Sequence, residues 1–245
     1  MQPHQHHDVA RAEFVETGSG KRAYYAAPAG AGPFPGILVF QEAFGINDYV
    51  QSETRRLAEH GYAAIAPDLF DGDTFSYDDR DSIFPRLKTL TDNGMLDHVN
   101  PAVSFLGAQA QVKKSPYGAV GFCMGGRLSV VVAAELGEKI GVAVSFYGGG
   151  MAPDEQRAFT PVLDRLPKIT AELLLIYGGE DASIEPREHG RIAEALSANK
   201  KKYTLTVYPE AGHGFASSGR PANYHPQAAE QAWNQTLALF EQTLK

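Results

Sequence analysis

A sharp turn around the single cysteine of the chain is the feature most suggestive of chemistry. An apolar run of strand length enters this turn and an apolar helix is predicted to leave it; the turn reads Gly121-Phe122-Cys123-Met124-Gly125-Gly126. A nucleophile on such a strand-to-helix turn has strained backbone dihedral angles, and side chains two residues before and after it would collide with neighbouring backbone. Glycine at 121 and 125 removes those side chains. Cys123 also lies at the start of the predicted helix, where the helix dipole favours a thiolate. The non-functional alternative is that Cys123 is a small hydrophobic residue buried beside a turn.

An acid and a histidine follow this cysteine, each after a predicted strand. Asp181 comes just after an apolar run that breaks at two glycines, and His213 lies between two glycines in a later loop. Nucleophile, acid and histidine occur in this order in the α/β-hydrolase fold, whose parallel strands gather active groups at their carboxyl ends. We therefore predict a triad of Cys123, Asp181 and His213. Two neighbouring acids compete for the role of Asp181, namely Glu180 and Glu185.

The loop after the first buried strand supplies a further acid, Glu42. In this fold that loop lends one backbone N–H to the oxyanion hole, and the residue after the nucleophile lends the other. This assigns the amides of Ala43 and Met124. Glu42 would then lie beside Cys123, where it can take the thiol proton once substrate excludes water. A solvated Glu42 that caps the next helix is the alternative, although Asn47 already fills the capping position.

The elements that must position these residues follow from the hydrophobic pattern. Seven strands are predicted, over residues 22–27, 36–40, 62–67, 117–122, 141–147, 171–177 and 203–208. They alternate with helical patterns, among them residues 48–60, 124–136 and 226–244. This alternation predicts an α/β fold, with a mainly parallel sheet and helices on both faces. The 245 residues, 43% of them hydrophobic, suffice for one substantial core. We expect a single domain over residues 12–245 after a disordered tail at 1–11.

The segment over residues 70–93 is acidic, aromatic and irregular. This composition suits a loop and short helix lying over the site, with a simple solvated surface loop as the alternative. The last helix presents an apolar stripe that we interpret as core packing; it consists of Ala229, Trp233, Leu237 and Phe240.

Five short motifs occur in a fixed order along the chain: Gln41-Glu42-Ala43-Phe44-Gly45-Ile46-Asn47, Pro67-Asp68-Leu69-Phe70, Gly121-Phe122-Cys123-Met124-Gly125-Gly126, Gly178-Gly179-Glu180-Asp181 and Gly212-His213-Gly214-Phe215. In this order and spacing the chain resembles the dienelactone hydrolase family, from about residue 12 to 243. The resemblance implies a carboxymethylenebutenolidase-type hydrolase without a cofactor. In it Cys123 attacks the lactone carbonyl and forms a thioester acyl-enzyme, while His213 and Asp181 complete the triad. It also implies that Glu42 holds the resting thiol and takes its proton when substrate binds.

One position departs from that family. An arginine four residues after the histidine helps to hold the substrate carboxylate in dienelactone hydrolases proper, and this chain has Ser217 there. The resemblance instead offers Arg220, in a pattern seen in broader relatives, and a second arginine after the Pro67 motif, either Arg80 or Arg86. Further candidate substrate contacts are Phe44 and Tyr147. A different ester or lactone can therefore replace dienelactone as substrate.

Composition restricts the partners of the chain. A net charge of −7 argues against nucleic acid and against anionic membrane surfaces, which select basic patches. No apolar run approaches membrane-spanning length, and no signal-peptide pattern is present. Neither metal nor cofactor is expected. His98, His189 and His225 lack metal-ligand spacing, and the histidines of the N-terminal tail could bind metal only incidentally. A single cysteine fits a reducing cytoplasm. We expect a monomer or weak homodimer that acts on a small-molecule ester or lactone.

The sequence leaves two questions open. Either Glu42 or His213 can be the first to take the thiol proton. The chain can also be a ligand-binding or thiol-sensing relative with little turnover, an interpretation motivated by the cysteine nucleophile together with the missing arginine.

Overall fold

Eight strands form one mainly parallel sheet in the computed structural model, which describes residues 6–152 and 161–245. The strands are β1 (Val9–Gly18), β2 (Lys21–Pro28), β3 (Gly36–Phe40), β4 (Ala63–Pro67), β5 (Tyr117–Phe122), β6 (Ile140–Phe146), β7 (Glu172–Gly178) and β8 (Tyr203–Tyr208). Their order is β1-β2-β4-β3-β5-β6-β7-β8. The predicted α/β class and mainly parallel sheet are confirmed.

Among the described residues, six α-helices connect or follow these strands: α1 (Asp48–Glu59), α2 (Arg80–Lys88), α3 (Asp92–Ala108), α4 (Met124–Leu136), α5 (Pro186–Ala198) and α6 (Pro226–Leu244). The helices predicted over residues 48–60, 124–136 and 226–244 match α1, α4 and α6 to within one residue. The backbone forms two compact units, one ending at Gly118 and one beginning at Ala119. A single domain over residues 12–245 stays a prediction.

Strand β1 was not predicted from the sequence, and it corrects the expected disordered tail. Most of its side chains are half-buried or exposed, so the strand lacks the apolar run that marks the inner strands. It pairs antiparallel with β2 from Val9 onwards. The tail predicted over residues 1–11 is therefore wrong for Val9, Ala10 and Arg11, while residues 1–5 lie outside the described residues.

The first unit surrounds the loop that follows β3. Strands β3 and β4 are fully buried, as expected for inner strands of a parallel sheet. Helix α1 begins where the side chain of Asn47 accepts a hydrogen bond from the Val50 amide at 3.2 Å, so the predicted cap is confirmed. Because Leu57 and Ala58 are buried on the inner face of α1, packing holds the helix against β2 and β4.

The segment after β4 is packed against this same loop rather than simply solvated. The Leu69 amide donates to the Gln41 side chain at 3.0 Å, and the Phe75 amide donates to the Phe44 carbonyl at 3.1 Å. The rings of Phe44 and Tyr77 meet edge to face, with centroids 4.6 Å apart. The segment then forms the short helix α2, as the loop-and-helix interpretation expected.

The second unit carries most of β5, the inner strands β6 and β7, and the long helix α6. Strands β5, β6 and β7 are almost entirely buried, and β6, β7 and β8 run parallel. The predicted stripe of α6 is confirmed as core packing, with all four residues at most 5% exposed. The indole of Trp233 lies 6.1 Å from the Phe122 ring, so α6 packs behind the strand that ends at the cysteine turn.

Candidate active site

Cys123 lies between β5 and α4 in a strained backbone conformation. Its φ of 57° and ψ of −120° place it outside the regions that most side chains adopt. Its amide donates to the Phe146 carbonyl at 2.9 Å, which fixes the turn to the end of β6. A side chain at position 121 would overlap the carbonyl of Gly125, so the glycine two residues before the cysteine is required by the close approach predicted from the sequence.

The side chains of Cys123, His213 and Asp181 are in contact. His213 Nε2 lies 3.1 Å from Cys123 Sγ, and His213 Nδ1 lies 2.7 Å from Asp181 Oδ2. The second oxygen of Asp181 accepts the Ser183 amide at 2.8 Å, which orients the carboxylate toward the imidazole. The two competing acids, Glu180 and Glu185, are both exposed.

The loops after β7 and β8 are in contact, which brings Asp181 and His213 together. The Gly179 amide donates to the Tyr208 carbonyl at 2.8 Å, and the Glu180 amide donates to the Ala211 carbonyl at 3.0 Å. These bonds tie the loop after β7 to the loop after β8, just before Asp181 and His213. The approach is closest at Gly178, where a β-carbon would overlap the Ala211 carbonyl.

The imidazole of His213 is held in a charged environment. Burial lowers its pKa, but the charge of Cys123 and the hydrogen bonds to Asp181 and Cys123 outweigh burial, so the pKa of His213 is raised well above its usual value. The shift favours an imidazolium at His213. An imidazolium in contact with a cysteine is an environment in which the sulfur can act as a nucleophile.

Tyr147 supports the imidazole. Its ring is fully buried and lies 5.3 Å from the His213 ring, centroid to centroid, with Phe215 on another side at 5.4 Å. The backbone of Tyr147 has a φ of 41°, an uncommon value for an aromatic residue. A substrate contact for Tyr147 stays a prediction, since the contacts of its ring are with His213 and core aromatics.

Glu42 and Ala43, the two residues after β3 that were predicted to belong to the site, are buried. Glu42 is 1% exposed and Ala43 is 7% exposed, so the solvated alternative for Glu42 is wrong. The Gln41 side chain donates to the Glu42 carbonyl at 3.2 Å and fixes the backbone there. Burial raises the pKa of Glu53 on α1 to about 7; Arg56 opposes this and the charge of Glu42 adds to it. Positions of Glu42 and Ala43 beside the thiol stay predictions.

Met124 is the first residue of α4, directly after the cysteine. The N–H groups of the first turn of a helix have no acceptor within that helix. The Met124 amide is therefore at the helix position from which an oxyanion can be bound, and its role stays a prediction.

The three candidate arginines differ in their surroundings. Arg86 lies 3.8 Å from Asp71 and its guanidinium lies over the Phe70 ring. Arg80 is exposed at the first turn of α2. Arg220 is half-buried in the loop that follows His213, and its carbonyl accepts the amide of Asn223 at 2.9 Å.

Asn223 is a contact of the site that the sequence did not suggest. Its side-chain amide donates to the backbone carbonyl of His213 at 2.9 Å. Ten residues separate the two, and no spacing motif links an asparagine in a loop to a distant carbonyl.

Within residues 6–152 and 161–245, no cluster of histidine, cysteine, aspartate or glutamate side chains could hold a metal ion. No helix in that part of the chain has both the length and the apolar character needed to cross a bilayer.

The fold defines the chain as an α/β hydrolase, with cysteine, acid and histidine following β5, β7 and β8 in chain order. A sequence model of the dienelactone hydrolase family matches residues 22–244. The chain therefore belongs to the dienelactone hydrolase family, whose members hydrolyse lactone or ester bonds, and it is such a hydrolase.

Individual relatives agree with this assignment. The chain is 33% identical over 223 residues to a "Putative carboxymethylenebutenolidase" of Methylorubrum extorquens, with 90% of this chain and 76% of that protein covered. It is 36% identical over 230 residues to a protein of the same name from Yersinia pestis, with coverages of 90% and 83%. A crystal structure of a "Putative Dienelactone Hydrolase" from Klebsiella pneumoniae superposes with a TM-score of 0.87 at 31% identity, covering 96% of this chain and 99% of that one.

Replacing Gly178 by alanine tests the contact between the two loops. The added β-carbon would overlap backbone that cannot move freely, so we expect Gly178→Ala to lower the free energy of unfolding by about 1–3 kcal/mol. Urea denaturation measures this change. Gly190→Ala is the matched control, because a β-carbon there meets no atom within 4 Å and helix propensity favours alanine by about 0.5–1 kcal/mol. Equal effects of the two substitutions would contradict the close approach.

The raised pKa of His213 can be measured by NMR titration of the imidazole nitrogens. Cys123→Ala removes the charge and hydrogen bond of the sulfur but leaves the imidazole buried, so we expect the pKa of His213 to fall. An unchanged pKa would contradict the contribution of the sulfur to the raised pKa of His213.

The same shift has a stability consequence with a defined sign. The pKa of His213 in the folded protein lies above its value of about 6.5 in the unfolded chain. Protonation of His213 therefore adds to the free energy of unfolding, and this contribution is complete below about pH 6.5. This contribution is lost as the pH rises through the folded pKa. We expect the free energy of unfolding of Cys123→Ala to show a smaller pH dependence of this sign, because only the contacts of His213 with Asp181 remain.

Proposed function

We propose that Cys123, His213 and Asp181 act as a nucleophilic triad that cleaves lactone or carboxylic ester bonds through a thioester acyl-enzyme. The observation that carries this proposal is the continuous contact from sulfur to imidazole to carboxylate, at 3.1 and 2.7 Å. Asp181 holds His213 in the tautomer and orientation that direct Nε2 at the sulfur.

In the first half of the reaction the sulfur of Cys123 attacks the acyl carbon, and the carbonyl oxygen takes up negative charge. The backbone N–H groups of Met124 and Ala43 are the proposed donors to this oxyanion. When the intermediate collapses, the bond from carbon to the ester oxygen breaks and His213 Nε2 gives its proton to the departing alkoxide. In a lactone the departing hydroxyl stays attached to the acyl chain.

In the second half, water attacks the thioester carbonyl. His213, now neutral, takes the proton of the water, and the thiolate of Cys123 leaves as the carbon–sulfur bond breaks. The carboxylic acid is released and the imidazolium next to the thiolate is restored. Its raised pKa supports this resting state.

Glu42 is proposed as a second base for the thiol. It is buried and held at its backbone by Gln41, so its carboxylate is shielded from water. Once bound substrate excludes water, a carboxylate beside a thiol can take the proton of that thiol. His213 and Glu42 thus give the thiol proton two proposed acceptors, one of which is in contact with the sulfur.

The proposed substrate is a small ester or lactone that carries a carboxylate. Such a group is present in the compound class named for the carboxymethylenebutenolidase relatives. Arg220, Arg80 and Arg86 are the proposed cations for it, and Phe44 and Tyr147 the proposed apolar contacts. Ser217, which takes the place of the family arginine, is buried and cannot supply that charge. We therefore propose a substrate range that is not restricted to dienelactone.

A reducing cytoplasm is the proposed location, because the single cysteine must stay a thiol to act as nucleophile. A monomer or weak homodimer is proposed, with neither nucleic acid nor membrane as partner, in keeping with the net charge of −7.

Cys123→Ala tests the nucleophile. We expect the variant to lose release of acid from p-nitrophenyl acetate and from a panel of lactones, because no other thiol exists in the chain. His213→Ala should lower kcat/KM by about 10²–10⁴-fold. Mass spectrometry of the parent, quenched in acid during turnover, should show an acyl group on the peptide that contains Cys123. Turnover by Cys123→Ala would refute the mechanism, and ligand binding by the parent without any acid release would favour a thiol-sensing relative.

Glu42→Gln tests the second base. If Glu42 takes the thiol proton, the acidic limb of the pH profile of kcat/KM should change in shape, because one titrating group is lost. The profile is measured with one aryl ester in parent and variant. An identical profile would leave His213 as the sole base.

A further inference from the structure

The loop between His213 and α6 is tied together by its own backbone. The Ser217 amide donates to the Gly214 carbonyl at 3.0 Å, and the Arg220 amide donates to the Ser217 carbonyl at 3.1 Å. At its far end the His225 amide donates to the Phe215 carbonyl at 2.9 Å. These bonds close the loop into a compact unit.

Most of this loop is anchored, but its first residue, His213, is not held in the same way. Phe215 and Ser217 are fully buried, and His225 caps α6 by accepting the Ala228 amide at 3.2 Å. His213, by contrast, lies between two glycines, and Gly214 has a φ of 76°. Glycines leave the backbone around the histidine free to rotate. A separate contact must therefore restrain the histidine backbone.

Asn223 supplies that contact and a second one. Its side-chain amide donates to the His213 carbonyl at 2.9 Å, while its backbone amide donates to the Arg220 carbonyl at 2.9 Å. One residue thus bridges the carbonyl of the histidine and the carbonyl of the arginine. Two hydrogen bonds of ordinary length therefore connect the two carbonyls through Asn223.

We propose that Asn223 is a positioning residue, which holds His213 against Cys123 and couples the imidazole to the turn that carries Arg220. Since the inference rests on the proposed function, a carboxylate on the substrate that engages Arg220 would also steady the histidine. Recognition of the acid group would then raise kcat as well as lower KM. Asn223 touches neither sulfur nor imidazole nitrogen, so it acts through the backbone of His213.

Asn223→Ala removes the side-chain donor and leaves the backbone donor. Displacing a reacting group by about 1 Å can cost about 10²-fold in rate. We expect kcat to fall by about 10- to 100-fold on p-nitrophenyl butyrate and further on p-nitrophenyl hemisuccinate, an ester of similar size with a free carboxylate. KM should rise for the hemisuccinate alone. The pKa of His213, measured by NMR, should fall toward its usual value as the contacts to Cys123 and Asp181 loosen.

Asn199→Ala is the matched control. Asn199 also donates its side-chain amide to a backbone carbonyl at 2.9 Å, that of Ala195, but at the exposed end of α5. We expect this variant to keep the kcat, KM and His213 pKa of the parent. Asn223→Ser, which keeps a polar side chain with a shorter reach, provides a second test if the alanine variant does not fold. It should shift kcat and the pKa in the same direction.

Three results would overturn the proposal or its parts. A lower unfolding temperature with unchanged kcat, KM and His213 pKa would reduce Asn223 to a stabilising residue. Equal losses on both esters would remove the coupling to Arg220. If the parent hydrolyses no ester, the proposed function fails, yet the NMR titration still decides whether Asn223 positions the histidine.

Discussion

The imidazole of His213 has to reach two partners at once, a sulfur at the end of β5 and a carboxylate at the end of β7. Both distances are short, at 3.1 and 2.7 Å, and a rigid ring leaves little freedom once both are satisfied. The loops after β7 and β8 are therefore tied to each other by backbone hydrogen bonds before either side chain begins. Steric contact at Gly178 and the buried ring of Tyr147 are consequences of the same requirement.

Electrostatics reinforces this geometry. Burial alone would discharge the imidazole, and the sulfur and the carboxylate on its two sides reverse that tendency. The imidazole therefore favours its charged form before any substrate arrives. In the other unit Glu42 is buried as well, and its charge contributes to the raised pKa of Glu53 on α1. Burial and a neighbouring negative charge thus act in the same direction on the carboxyl group of Glu53.

Much of this could be predicted from the sequence because the signals were local. Cys123 directly follows β5, and the strands before Asp181 and His213 break at Gly178 and Pro209; all three strands were predicted to within one or two residues. Strand β1 was missed since its side chains are largely exposed and show no apolar run. The hydrogen bond from Asn223 was missed because it joins a side chain to a backbone carbonyl, and no residue type marks a carbonyl.

Burial was the property that the sequence predicted least well. The sequence was compatible with a solvated or a buried Glu42, because the residues next to a loop glutamate do not indicate its exposure. The packing around Gln41 and Phe44 determines that Glu42 is buried. The same holds for Tyr147, because an aromatic residue that follows a strand can equally line a substrate pocket or pack in the core.

The positive φ of Cys123 also limits what the turn could hold during evolution. The left-handed region tolerates a side chain with one small atom beyond the β-carbon far better than a β-branched one. Serine has the same unbranched β-carbon as cysteine, whereas the β-branched side chain of threonine is disfavoured at a positive φ. The backbone at position 123 therefore permits a thiol or a primary alcohol as nucleophile, but disfavours the secondary alcohol of threonine.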